Sequence, residues 1–288
     1  TLSFTHLDAT KVARAVDRVV GRHEVLRTVY TVDGDGEVLQ NIKTKESTAR
    51  CEITDLSMEV NPMEEFNKFV AEDASKPFDL KQCVFRAHVF VMKQGKMILY
   101  FNVHHIAFDG ASLRIFVDDL ERFYRDETLE PLGIQYYHYA QWQRKALTSE
   151  YVSSELIFWK KYLDGAPTIL DLPFDFDAQD GFDHGGLYSL DTEASLFSQI
   201  QEFSSLKRVQ LYAIFLSAYG MLLCSHGNAK DILVATPTCS ITPLRNSAAC
   251  SPNYKGTSNT IGFFVNTIIS RVNINHGDTF EDVVHRLN

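Results

Sequence analysis

The residues best suited to chemistry in this chain are two adjacent imidazoles, an acid and a glycine, spaced His104-His105-x-x-x-Asp109-Gly110. An imidazole with an unperturbed pKa of about 6.5 exchanges protons at neutral pH, so either histidine has the chemistry of a general base. Asp109 lies four residues beyond His105. It can hold a histidine tautomer, cap a helix beginning after Gly110, or pair with a buried arginine. Gly110 permits a positive φ or a close backbone approach that a bulkier residue hinders. Neighbouring residues of a strand face opposite sides, so His104 and His105 cannot both reach one atom while a strand persists. One of them therefore serves the scaffold. The same divergence opposes a shared metal ion, and neither a His-Glu-x-x-His nor a Cys-x-x-Cys pattern occurs.

These residues stand where one kind of element gives way to another. Met97–Val103 is short, apolar and rich in aromatic and branched residues, which predicts a buried strand. Val84–Met92 precedes it across Lys93-Gln94-Gly95-Lys96, which predicts a hairpin. From Ser112 onward, Leu113, Phe116, Leu120 and Phe123 recur at helical spacing, which predicts a helix over 112–126. Upstream, Asp8 is placed to cap a helix carrying Val12, Val16, Val19 and Val20. Val25–Thr31 and Glu37–Ile42 read as strands around Asp33-Gly34-Asp35-Gly36, and a helix follows near 63–71. Further helices are predicted near 136–147, 152–164, 193–204 and 208–224, and strands near 186–190, 232–236 and 263–272. Asp278-Thr279-Phe280-Glu281 resembles a capping box opening a last helix. Gly165 through Asp175 breaks the helical pattern, so residues 1–165 and 176–288 are expected as two lobes joined by 166–175. Strands mixed with helices in both halves predict an α/β (α+β mixed) fold.

Composition bounds the partners. The 288 residues carry a net charge of −9, which opposes nucleic acid but not docking of an acidic protein through a local patch. Five scattered cysteines, an odd number, predict free thiols in a reducing, cytoplasmic setting. The most apolar helix, Leu211–Cys224, is too short to span a bilayer and reads as a core helix.

A histidine, three residues and Asp-Gly after a strand resembles acyltransferases built like chloramphenicol acetyltransferase. The doubled His104-His105 form is narrower and resembles condensation domains of nonribosomal peptide synthetases. Three further segments resemble that family in the same order. Arg22-His23-Glu24-Val25-Leu26-Arg27-Thr28 resembles its Arg-His-Glu-x-Leu-Arg-Thr motif. Tyr136-Tyr137-His138-Tyr139-Ala140-Gln141-Trp142 resembles Tyr-x-Asp-Tyr-Ala-x-Trp, with His138 in place of the acid. Ile261-Gly262-Phe263-Phe264-Val265-Asn266-Thr267 with Arg271 resembles Ile-Gly-x-Phe-Val-Asn-Thr-x-x-x-Arg. The style of the last motif is similar to condensation domains attached to fungal iterative polyketide synthases, including the lovastatin type.

The resemblance implies a two-lobed, V-shaped fold extending beyond both ends of the chain, with the active site between the lobes. It implies amide formation between an acyl and an aminoacyl thioester, each carried on the 4′-phosphopantetheine of an acyl or peptidyl carrier protein. The domain itself would bind no cofactor and no metal, and adjacent megasynthase domains would be its neighbours. By motif position His105 stands at the reacting centre and His104 in the scaffold. Asp109 would be held by an arginine, with Arg27 and Arg271 as candidates and Arg22 behind them. Gly110 would offer its N–H to an oxyanion. Ser112 would contact substrate or cap the helix, and Asn266 would bind a substrate group or tie a loop. The rival readings are a coenzyme A-dependent acyltransferase, an epimerisation domain, and a catalytically idle domain that binds carrier proteins.

Overall fold

Leu2 and Phe4 alternate with exposed Ser3 and Thr5, and Leu2–Thr5 forms a short strand, β1. In the computed structural model, which describes residues 1–45, 50–173, 188–239 and 257–288, Asp8 caps α1 (Ala9–Arg22) by accepting from Lys11 N–H at 2.9 Å. α1 buries Val12, Val16, Val19 and Val20, as its spacing predicts. The predicted strand at Val25 begins late. Glu24–Arg27 is a 3₁₀ turn, in which the Thr28 hydroxyl donates to Glu24 O at 2.8 Å, and β2 runs Thr28–Val32. β3 (Val38–Ile42) pairs with it antiparallel around a turn fixed by Asp33, whose carboxylate accepts from Asp35 and Glu37 N–H.

β4 (Glu52–Asp55), α2 (Pro62–Ser75), β5 (Phe85–Val91) and β6 (Lys96–Val103) follow. The sheet order is β1-β6-β5-β4, with β4 parallel to β5 and the other pairs antiparallel. The β5–β6 hairpin turns at Gln94 and Gly95, both with positive φ. Its residues alternate between two cores. Val89, Met97 and Leu99 pack with α1 and with α3 (Gly110–Tyr124), whereas Phe90, Met92 and Tyr100 pack with Leu56 and Phe66 of the α2 side. The strand that carries the histidines is thus buried on both faces, which fixes where it ends.

α4 (Tyr136–Ala146), α5 (Ser149–Tyr162), α6 (Ala194–Lys207) and α7 (Leu211–His226) lie within two residues or so of their predicted bounds at most ends. β7 (Asp231–Cys239) pairs with β8 (Val265–Asn273), and α8 (Phe280–Leu287) ends the chain. The box at its start is Thr279 with Asp282, one position beyond the predicted Glu281. Of the predicted strand at 186–190, residues 186 and 187 lie outside the described residues, and 188–190 are irregular. Among the described residues no single helix is long and apolar enough to cross a membrane.

Packing groups Thr1–Tyr151 with Cys239–Val265, and Val152–Thr238 with Asn266–Asn288. Residues 257–265 therefore belong with the first unit although the second precedes them, a return that the expected division along the chain does not contain. Residues 174 and 175 of the expected joining segment lie outside the described residues.

Candidate active site

β6 stops at Val103 because the chain then turns. His104 N–H makes a last bond to Val84 O at 2.8 Å, and His105–Ala107 forms a 3₁₀ turn. The two histidines are separated by that turn and not by strand alternation, as predicted. The consequence for their roles is the same. His104 Nδ1 accepts from Ile106 N–H at 3.1 Å, and its ring sits edge-on to Phe78, so it is spent on shaping the loop. His105 is exposed, with its ring edge-to-face against Phe263 at 5.1 Å. Ala107 and Phe108 are buried immediately behind and anchor the turn.

Asp109 is 3 % exposed and caps α3. Its Oδ1 accepts from Ser112 N–H at 2.9 Å, and its Oδ2 accepts from Phe264 N–H at 3.0 Å. Among the described residues no arginine holds it, contrary to expectation. Arg22 pairs with Asp119 at 2.9 Å, Arg27 with Glu24 at 3.1 Å, and Arg271 with Asp231 and the Tyr162 carbonyl. The physical reason is that backbone N–H groups and a hydroxyl already meet the carboxylate, and charge-assisted bonds of this kind satisfy a buried anion. Ser112 is 1 % exposed and its Oγ lies 2.8 Å from Asp109 Oδ1, so it is out of reach of any substrate. It is a staple: Oγ also accepts from Gly262 N–H at 3.1 Å. Gly110 is exposed, has no positive φ, and a Cβ there would meet nothing within 4 Å. Neither predicted reason for a glycine comes from the chain's own packing. Asn266 is exposed in the second unit, and its side chain accepts from Thr267 N–H at 2.8 Å.

The other motifs hold this loop from behind. His23 is fully buried: Ile261 N–H donates to its Nδ1 at 3.3 Å, and its Nε2 lies 2.8 Å from Asp119 Oδ2. Asp119 thus joins Arg22 and His23 to α3. Gln135 ties the start of α4 to the same turn through Glu24 N–H and Arg22 O. The Tyr136 hydroxyl donates to Phe263 O at 3.0 Å, while burial pushes its pKa up to about 12 and keeps it a donor. His138, where the resembled motif has an acid, completes the capping box of α4, its Nδ1 accepting from Gln135 N–H at 3.1 Å. Sequence reasoning missed the His23–Asp119 pair. The signal was there, since Asp119 interrupts the apolar stripe Phe116, Leu120 and Phe123 on α3.

Gly262 is where a glycine is required. A Cβ there would lie 2.2 Å from Tyr136 Cδ2, on a ring pinned by its hydroxyl bond and its 5.3 Å contact with Phe264. Gly262→Ala is expected to destabilise the fold by about 1–3 kcal/mol, the range for overpacking a filled core. Urea unfolding measures this, and an unchanged midpoint would contradict the close approach.

Burial also sets a pH dependence. It holds the pKa of His23 below its ordinary 6.5, against an opposite pull from the Asp119 hydrogen bond, and burial lowers that of His88 too. Both are neutral in the folded chain, whereas the unfolded chain takes up protons near pH 6.5. Stability is therefore complete above about pH 6.5 and falls as pH drops through the window below it. Thermal melting is expected at a lower temperature at pH 5.5 than at pH 7.5, and equal midpoints would contradict the neutral assignment.

Similar proteins agree with this construction. Surfactin synthase subunit 1 of Bacillus subtilis is 32 % identical over 284 residues, 98 % of this chain and 7 % of that protein, so the chain spans a small fraction of that relative. Among solved structures, the epimerization domain from the third module of tyrocidine synthetase B superposes with a TM-score of 0.82 at 18 % identity, covering 99 % of this chain and 64 % of that one. The X-domain from teicoplanin biosynthesis superposes at 0.80 with 24 % identity, covering 99 % and 64 %. These likenesses establish the mixed α/β, chloramphenicol-acetyltransferase-like fold. With the four motifs folded around one exposed histidine, and the condensation-domain family model matching residues 3–288, the chain belongs to the condensation domain family.

Proposed function

We propose that this chain forms an amide bond between two carrier-bound substrates, with His105 at the reacting centre. The amine of an aminoacyl thioester attacks the carbonyl of an acyl thioester. A C–N bond forms, the C–S bond breaks, and the amine proton leaves with the thiolate as thiol. The observation that carries this reading is the division of labour in the motif: His104 and Asp109 are consumed by the scaffold, and His105 alone presents a free, exposed ring. An α-amine with a pKa of about 7.7–8.0 is partly neutral already, so positioning it outweighs deprotonating it. The N–H of Gly110 is at the first turn of α3, where helix N–H groups lack internal acceptors, and it faces no side chain of its own that blocks approach. It is suited to a developing oxyanion.

In this reading acyl and peptidyl carrier proteins deliver both substrates on 4′-phosphopantetheine, adjacent megasynthase domains flank the chain, and the protein works in the cytoplasm without a cofactor of its own. Asn266 contributes a substrate contact. The test offers the chain a donor thioester on a carrier protein or on free coenzyme A, with a loaded acceptor carrier. Amide formed only from the carrier-bound donor supports the reading. Equal turnover with coenzyme A replaces it with a free-thioester acyltransferase, and loss of the acceptor's stereochemistry without condensation replaces it with an epimerase.

A further inference from the structure

A cavity of about 800 Å³ lies in the first unit at the C-terminal end of α1, and His105, Asp109 and Gly110 do not line it. Arg18, Arg22, Arg27, Lys45 and Arg50 all line it, and among the described residues the acids that line it are Asp17 and Glu24. The concentration of positive charge runs against the chain's net charge of −9. Much of it is uncompensated. Among the described residues the hydrogen bonds of Arg18 go to carbonyls, Phe123 O at 3.3 Å and Glu127 O at 2.7 Å, which leave its charge in place. Among the described residues neither Lys45 nor Arg50 has a carboxylate within 4.0 Å. Arg27 pairs with Glu24, yet its side chain is only 9 % exposed and its buried Nε–H has no acceptor among the described residues. A buried guanidinium N–H without an acceptor is costly and marks a place for one.

His138 lines the same cavity. The motif it resembles carries an acid at this position; here the side chain in that place completes the capping box of α4 without an acid's charge. Because Nδ1 accepts from Gln135 N–H, the neutral ring carries its proton on Nε2 and is a donor there. Phe123, Leu132 and Tyr137 supply an apolar wall. Clustered cations that outnumber their counter-charges repel one another, and a concave low-dielectric wall strengthens their field. We propose that this cavity binds a small organic ligand bearing more than one phosphate charge, held by the α1 arginines with Lys45 and Arg50, and that His138 in place of an acid permits it.

The test is calorimetric titration of the whole chain with pyrophosphate at constant ionic strength. A titration with dimethyl phosphate, a singly charged diester like that of a carrier's pantetheine arm, runs beside it. Saturable one-to-one pyrophosphate binding is expected, with weak or no dimethyl phosphate binding. The exposed pair Lys45→Gln with Arg50→Gln is expected to weaken it by about tenfold or more, the scale of losing charge-assisted contacts. His138→Asp, which restores the acid and keeps the cap, is expected to weaken it comparably while leaving the melting temperature in place. Absence of saturable heat beyond that of sodium chloride at matched ionic strength would overturn the proposal. So would tighter binding of the diester, or an affinity unchanged in both variants.

Discussion

Replacing His105 with alanine is expected to lower amide formation by a factor of about 10² to 10⁴, the range for removing a positioned acid–base group. The fold should not notice. His105 is exposed and packs edge-to-face against Phe263, so the change in stability is expected within about 0.5 kcal/mol. The two readings must be taken together: single-turnover formation of the amide, and thermal melting of the same preparation. Loss of activity with an unmoved melting curve places His105 in the chemistry. Full activity in the variant would remove it from the reacting centre.

Asp109→Ala is expected to give the opposite signature. Its carboxylate caps α3 and accepts from Phe264 N–H, and it also receives the Ser112 hydroxyl. Removing it strips a helix cap, worth about 1 kcal/mol, and leaves a buried N–H of Phe264 without an acceptor, worth about 1–3 kcal/mol. The sum is a destabilisation of about 3 kcal/mol. Activity falls with it, because Asp109 and Ser112 tie the 262–264 segment to the turn that presents His105. Asp109→Asn keeps one acceptor oxygen and is expected to fall between the two in both stability and activity. An Asp109→Ala protein as stable as its parent, yet inactive, would show instead that this carboxylate acts on substrate.

The contrast between these two residues was only half legible in the sequence. The apolar runs Val84–Met92 and Met97–Val103 on either side of Lys93-Gln94-Gly95-Lys96 predicted the hairpin, because both signals are local. Helix α3 and its acidic cap were readable for the same reason. Partnership between distant charges was not. Arg27 and Arg271 are plausible partners for Asp109 by motif alone, but a carboxylate at a helix start is reached first by N–H groups three residues on. Their own carboxylates are a neighbour one turn back, Glu24, and a strand partner, Asp231. Strands of four residues escaped as well. β1 and β4 are too short for a periodic signal, and β4 joins β5 in parallel across more than thirty residues. The 3₁₀ turn at Glu24–Arg27 read as strand because Val25 and Leu26 are both buried, which a tight turn against a core achieves equally well.

Ser112 and Gly262 carry the clearest lesson for the site. Ser112 read as a substrate contact or a helix cap and Gly262 as a motif letter; Ser112 completes the α3 capping box, and each is a point where one motif grips another. In this chain three of the motifs meet one another around the turn that carries the His105 ring.

The most direct measurement is labelling by a donor analogue whose acyl group carries an alkyl bromide, loaded on a carrier protein and incubated with the chain. An imidazole nitrogen at the reacting centre displaces the bromide, and peptide mass mapping locates the new bond. The account predicts a single major adduct on His105, abolished in His105→Ala. An adduct on another residue with His105 untouched would contradict it.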